Sequence, residues 1–152
     1  MGNIAERLRE LEIALPARRS FGKYAGAARA GNLVFVSGAG PIGLDGAVTG
    51  KVGGDVDLAA AREAAKLCVI NCLSALQEEI GDLEKITRIV KLLGFVNSAP
   101  GFNQQHVVMD GASGLLLDLF GDKGRHARSS VGMAELPMNI AVEVEMIVEA
   151  AQ

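Results

Sequence analysis

The sequence predicts a single α+β domain: a mixed sheet with two helices packed on one face and a further helix at the N-terminus. Three stretches carry this reading. "DVDLAAAREAAKLCVINCLSALQEEIG" keeps apolar residues at helical spacing for over five turns. "KYAGAARAGNLVFVSG" reads as two strands around a Gly31-Asn32 turn. In the last stretch, Val142, Val144, Met146 and Val148 face one way while Glu143, Glu145 and Glu149, with Ile147, face the other. Helices on one face of a mixed sheet make an α+β domain. The whole of residues 1–152 reads as one domain, with 1–16 as an N-terminal helical extension.

Taken in order, "NIAERLRELEIAL" is a helix over residues 3–15. Asn3 caps it, Ile4, Leu8, Leu11 and Leu15 make one stripe, and Pro16 ends it. The two strands around Gly31-Asn32 follow. Residues 38–54 are rich in turns, with a short strand near 48–52. Asp57 caps the long helix and Gly81 closes it. "KITRIVKLLGFVNS" is a strand. A second helix runs over about 103–120 and ends at Gly121, with Gly111 and Gly114 as weak points inside it. "ARSSVGMAELPMNIAVEVEMIVEA" is two strands around a turn at Pro137-Met138-Asn139, read here as a hairpin.

The chain has 152 residues, 49% hydrophobic and 22% charged, with a formal net charge of −3. That is enough apolar content for a proper core and too much for disorder. The slightly acidic balance argues against a broad nucleic-acid surface, which needs clustered lysine and arginine. The densest basic run is "KGRHAR" at 123–128. No apolar run approaches the roughly 20 residues of a membrane span. The charged N-terminus does not read as a secretory signal, and Met1-Gly2 lacks the Ser or Thr that myristoylation prefers at position 6, which is Glu6. Cys68 and Cys72, four apart in the long helix, read as buried reduced thiols. The expected setting is cytoplasmic.

"LVFVSGAGPIG" contains Gly38-x-Gly40-x-x-Gly43, the spacing of a dinucleotide fingerprint. The fingerprint needs a helix starting at the glycines, so that its N-terminus meets the phosphate. Here Pro41 and four more glycines follow, and the next helix begins some residues later. With 19 glycines in the chain, the spacing reads as coincidence. Gly50-Lys51 is followed by Val52, not Ser or Thr, so a phosphate loop fails too. Two histidines, His106 and His126, have no third partner at metal-ligand spacing, and no metal or organic cofactor is expected. His126 reads as a surface residue and His106 as helical. No G-x-S-x-G elbow is present.

A site for a small anion needs a fixed cation, and arginine suits a carboxylate because its planar fork donates two parallel hydrogen bonds. Arg128 begins the penultimate strand among small residues, Ala127, Ser129 and Ser130. Glu143 and Glu145 lie on the polar face of the last strand and offer acid–base chemistry. Each has a structural alternative: an edge-strand ion pair for Arg128, and a solvated strand face or an oligomer interface for the glutamates.

"RSSVGMAELPMNIAVEVEMIVEA" resembles the C-terminal signature of the Rid family, the reactive-intermediate deaminases, also called YjgF-like: an Arg-Ser-x-Val strand, a Leu-Pro turn and a Val-Glu-Val-Glu strand. "GKYAGAARAGNLVFVSGAGP" is similar to the family's Gly-x-Tyr opening, Gly-Asn hairpin and Ser-Gly-x-x-Pro turn. The resemblance covers roughly residues 21–150. It implies a chorismate-mutase-like fold and a homotrimer with sites between subunits. It also implies hydrolysis of imines or enamines, such as 2-imino acids, to 2-keto acids and ammonia. By motif, Arg128 would clamp the substrate carboxylate and Glu143 would orient or activate water. Ser37 and Gly38 would line the pocket, Ser130 would stand where many members have Cys, and Tyr24 would close the site from a neighbouring subunit. Three departures mark a divergent branch, often labelled "putative endoribonuclease": the N-terminal helix, Gln105 nearest the position where active members carry Asn, and Gly132 on the arginine strand. The resemblance therefore leaves three functions to weigh: imine deaminase, a non-catalytic carboxylate-binding or regulatory trimer, and, least favoured by the acidic composition, a ribonuclease.

Overall fold

The computed structural model describes residues 3–17 and 22–152; Met1 and Gly2, where the lipidation motif was weighed, lie outside them. The elements run α1 (Ile4–Glu10), β1 (Ala27–Ala30), β2 (Leu33–Ala39), β3 (Ile42–Gly43), β4 (Gly46–Ala47), α2 (Leu58–Ile80), β5 (Ile86–Asn97), α3 (Gln105–Phe120), β6 (Ala127–Met133) and β7 (Val142–Ala150). One five-stranded sheet has the order β1-β2-β7-β5-β6. It is mixed: β5 and β6 are parallel and the other pairs antiparallel. The α+β expectation holds.

Helices α2 and α3 cover one face of the sheet. Leu73, Leu76, Val69 and Ala65 of α2, with Leu116, Leu119 and Met109 of α3, are buried with Val34, Ile89, Leu92, Val142, Val144 and Met146 of the sheet. Each Val, Leu, Ile or Met side chain so removed from water contributes roughly 1.5–3 kcal/mol before conformational entropy is subtracted. Cys68 and Cys72 are free and buried, donating Sγ–H to the carbonyls of Val142 and Val144, each at 3.4 Å. Burial pushes both thiols well above their ordinary pKa.

Caps sit where the sequence placed them. Asp57 accepts from the Ala60 N–H, and Gly81 ends α2. Asn3 and Glu6 form a reciprocal capping box on α1. Gly31, at φ +63°, makes the β1–β2 turn. Continuity of α3 is kept through Gly111 and Gly114. Gly111 has a packing reason: a Cβ there would lie 2.4 Å from the Arg62 carbonyl oxygen of α2.

Three expectations change. Helix α1 stops at Glu10, short of residue 15. Glu12 takes φ 56°, its N–H donates to the Arg9 carbonyl, and the Ile13 N–H reaches back to the Leu8 carbonyl. This Schellman closure turns Ile13 and Leu15 onto the core, which a straight helix would carry past it. The third strand is the hairpin β3–β4, while 48–52 makes only isolated bridges, Thr49 to Ile140 and Val52 to Val56 and Ser98. Finally, β6 and β7 are not a hairpin. Strand β5 lies between them, pairing with both. The Pro137–Asn139 turn, with Met138 and Asn139 at positive φ, is a crossover held by buried Asn97, which donates to the Ile140 carbonyl and Asn139 Oδ1.

Candidate functional site

That topology separates the sequence-selected residues into two groups. Arg128 sits on edge strand β6 opposite Leu92, and Leu92 is buried under the helices. Arg128 and, two residues on, Ser130 therefore face the helix layer. Glu143 sits on β7 opposite Phe95, three residues further along β5, and so faces the helix-free side. Two strand spacings, about 10 Å, and the thickness of the sheet lie between them. Within one chain, Arg128 and Glu143 do not meet.

The Arg128 group is tightly bonded. Its Nη1 donates to Asp110 Oδ1 at 2.8 Å and to Ser113 Oγ at 3.1 Å, and its Nη2 donates to the His106 carbonyl at 3.3 Å. All three partners lie on α3, at helical spacing on the face that meets β6. The Arg128 side chain is 23% exposed. The edge-strand ion pair weighed from sequence is thus present, and it leaves the Nε edge of the fork without an acceptor among the described residues.

Behind Ser113 stands His126, which the sequence reading had placed on the surface. It is half-buried. Its Nδ1 lies 2.6 Å from the Gly124 carbonyl, and its Nε2 lies 2.9 Å from Ser113 Oγ. A carbonyl only accepts, so Nδ1 carries the proton and Nε2 accepts from the serine hydroxyl. Burial lowers the His126 pKa, assisted by the Arg128 charge and opposed by the bond to Gly124. The imidazole is therefore neutral at pH 7, and Ser113 turns its lone pairs toward Arg128. Ser113, Leu117, Arg125, His126 and Arg128 line an open pocket of about 340 Å³. Ser130 Oγ is buried with no hydrogen-bond partner. Gln105 donates to Ser98 Oγ at 3.1 Å and to the Phe102 carbonyl at 2.9 Å.

The second group gathers where β2 bulges against β7. A Cβ on Gly38 would lie 3.0 Å from the Glu143 carboxyl carbon, so the missing side chain is what admits the glutamate. Ser37 donates to the Ala25 carbonyl at 2.6 Å and anchors the segment that carries Tyr24, itself 55% exposed. Burial raises the Glu143 pKa, and the Glu145 charge raises it further. A half-buried carboxyl held above its usual range suits proton transfer.

Around Glu143 the helix-free face carries exposed apolar side chains among its charges. Phe35, Leu33 and Val131 are 45%, 38% and 40% exposed. Phe35, Lys91, Leu93, Glu145 and Ile147 help line a second hollow there, of about 270 Å³. Among the described residues no group of three potential metal ligands occurs, and no helix is long and apolar enough to cross a membrane.

The sequence reading missed Asp110 and Ser113, and gave Arg125 only as part of the basic run at 123–128. Asp110 and Ser113 follow His106 at i+4 and i+7, and that helical spacing was the one signal available.

Residues 6–150 match the family described as "YjgF/chorismate mutase-like, putative endoribonuclease". Protein TCP17 of Trypanosoma cruzi is 40% identical over 151 residues, covering 97% of this chain and 94% of its own. The crystal structure of Agrobacterium tumefaciens protein Atu1372, of unknown function, superposes with a TM-score of 0.91 at 47% identity, covering 97% of this chain and 93% of that one. A Shewanella oneidensis protein named "putative endoribonuclease" gives 0.92 at 28% identity, covering 97% and 99%. The family match over residues 6–150, with a relative 40% identical over 97% of the chain, places this chain in the YjgF/chorismate mutase-like family.

Proposed function

We propose that the protein hydrolyses 2-imino acids to 2-keto acids and ammonia, in clefts between the copies of a homotrimer. The observation that carries the reading is the state of Arg128: pinned at three points on α3, with one edge of its fork open beside a pocket. A guanidinium held this way is pre-organised to take a carboxylate through Nε and Nη2.

The remaining chemistry is undemanding. An imine carbon is already electrophilic. Water adds its oxygen to C2, the carbinolamine's C–N bond breaks, and nitrogen leaves as ammonia with a proton from the medium or an acid. The protein's task is to hold carboxylate and water in attack geometry. Glu143, with its raised pKa, takes the proton from water. Because Glu143 lies on the opposite face from Arg128, the Glu143 that serves a given Arg128 belongs to a neighbouring copy. Ser37, Gly38 and Tyr24, which cluster with Glu143, come from that same neighbour, and Ser130 lies on the Arg128 side. The helix-free face, with Phe35 and Val131 exposed on it, is the surface that copies cover.

The test is release of keto acid and ammonia from imino acids made in situ by an amino-acid oxidase. The expected result is acceleration over buffer that falls by about 100-fold in Arg128→Ala, as loss of a bidentate charged contact requires. No acceleration across several imino acids overturns the reading. Carboxylate binding without turnover is the second reading. It is favoured by Gln105, which spends its donors on Ser98 and Phe102 of its own chain. It predicts calorimetric binding of a 2-keto acid that Arg128→Ala abolishes, with no catalysis. RNA cleavage that co-purifies with the protein and is lost in Arg128→Ala would instead favour a nuclease.

A further inference from the structure

We infer that the Arg128 pocket selects dicarboxylic 2-imino acids over monocarboxylic ones, with Arg125 holding the second carboxylate. The inference rests on the proposed function and names the substrate class of that same site.

Two arginines line the pocket and no carboxylate does. They differ in kind. Arg128 is saturated on its Nη1 side by Asp110 and Ser113 and has one edge to offer. Arg125 is 80% exposed, and its nearest carboxylate, Asp122 Oδ1, is 3.6 Å away and fully exposed. An ion pair of that kind holds its partner weakly. Arg125 is thus available to a ligand arriving in the pocket.

Its backbone, by contrast, is fixed. A Cβ on the preceding Gly124 would lie 2.4 Å from the Leu116 carbonyl oxygen, so the loop sits directly on α3. The Gly124 carbonyl is also the anchor of His126 Nδ1. Arg125 and Arg128 are three residues apart, at most about 10 Å of chain. Two arginines on the wall of one pocket offer a cation to each carboxylate of a small diacid.

The other walls agree. Neutral His126 and Ser113 use their hydrogen bonds on each other and on Arg128, so neither demands a polar group from the middle of the ligand. Leu117, 42% exposed, offers an apolar surface for the intervening methylenes. The pocket, of about 340 Å³, has room for an acid of four or five carbons.

The experiment is calorimetric titration of the whole protein with 2-oxobutyrate and with 2-oxoglutarate, repeated on Arg125→Ala and Arg125→Lys. The expected result is tighter binding of the diacid by about fivefold, the scale of one partly exposed charge pair. Arg125→Ala erases that preference, bringing the two affinities together, while Arg125→Lys keeps part of it. Equal affinities in the wild type, or a preference that survives Arg125→Ala, overturns the inference and leaves the carboxylate site standing. Failure of both acids to bind overturns the inference and the site together.

Discussion

Two glycines on one helix should respond to alanine in opposite directions. Gly111 and Gly114 both lie inside α3, the helix that holds the Arg128 side chain through Asp110, Ser113 and the His106 carbonyl. In an exposed helix interior, Gly→Ala stabilises by about 0.8–1 kcal/mol. At Gly114 a Cβ meets nothing within 4 Å, so that gain is realised. At Gly111 the new Cβ would lie 2.4 Å from the Arg62 carbonyl oxygen and 3.0 Å from its carbon. These are backbone atoms of α2 and have no rotamer to escape into. The helices must separate by about 1 Å, and overpacking of this kind costs about 1–3 kcal/mol, enough to outweigh the propensity gain. At about 2–4 °C per kcal/mol for a chain of this size, Gly114→Ala raises Tm by a few degrees and Gly111→Ala lowers it. Thermal unfolding by circular dichroism at one fixed protein concentration measures both. Shifts of the same sign in the two variants would refute the packing argument, and with it the claim that α3 is locked against α2 as the platform for Arg128.

Further outcomes follow from the titrating groups. Glu143 has a raised pKa, so the folded state holds its proton more tightly than the unfolded chain. The stability this contributes is complete below the unfolded pKa and is lost as pH rises through the folded one; Glu143→Gln removes that loss, read as urea midpoints across pH 4–7. His126 has a lowered pKa, so the unfolded state binds the extra proton first. Stability falls as pH drops below about 6.5, and His126→Gln flattens that fall in the same titration. Cys68 and Cys72 are buried with raised pKa values, so a thiol reagent labels neither in the native protein at pH 8 and both after denaturation; native labelling would contradict the packing of α2.

Most of the fold was legible in the sequence because periodicity and caps are local. Asp57 and Gly81 bounded α2 to the residue, and the Val/Glu alternation of β7 gave its two faces. What failed was non-local. The two final strands look like a hairpin because a turn joins them, yet β5 inserts between them through pairings that no nearby residue encodes. That error concealed the main property of the site. Arg128 and Glu143 are 15 positions apart and lie on opposite faces. The end of α1 was misread for a related reason: the stripe continued past Glu10, but Ile13 and Leu15 reach the core only by turning at Glu12. His126 illustrates a third limit, since its partners Gly124 and Ser113 follow from the placement of a loop on a helix.

The division of the site between copies is the central claim, and subunit mixing tests it most directly. Arg128→Ala and Glu143→Gln are each expected to be inactive alone. Unfolded together in equal amounts and refolded, they mix within the proposed trimer, where an interface is intact only when its arginine comes from one variant and its glutamate from the other. With random assembly that is roughly a quarter of the interfaces, so about a quarter of wild-type imine hydrolysis returns. Activity that stays at the level of the separate variants, where each is folded and trimeric, would contradict the account.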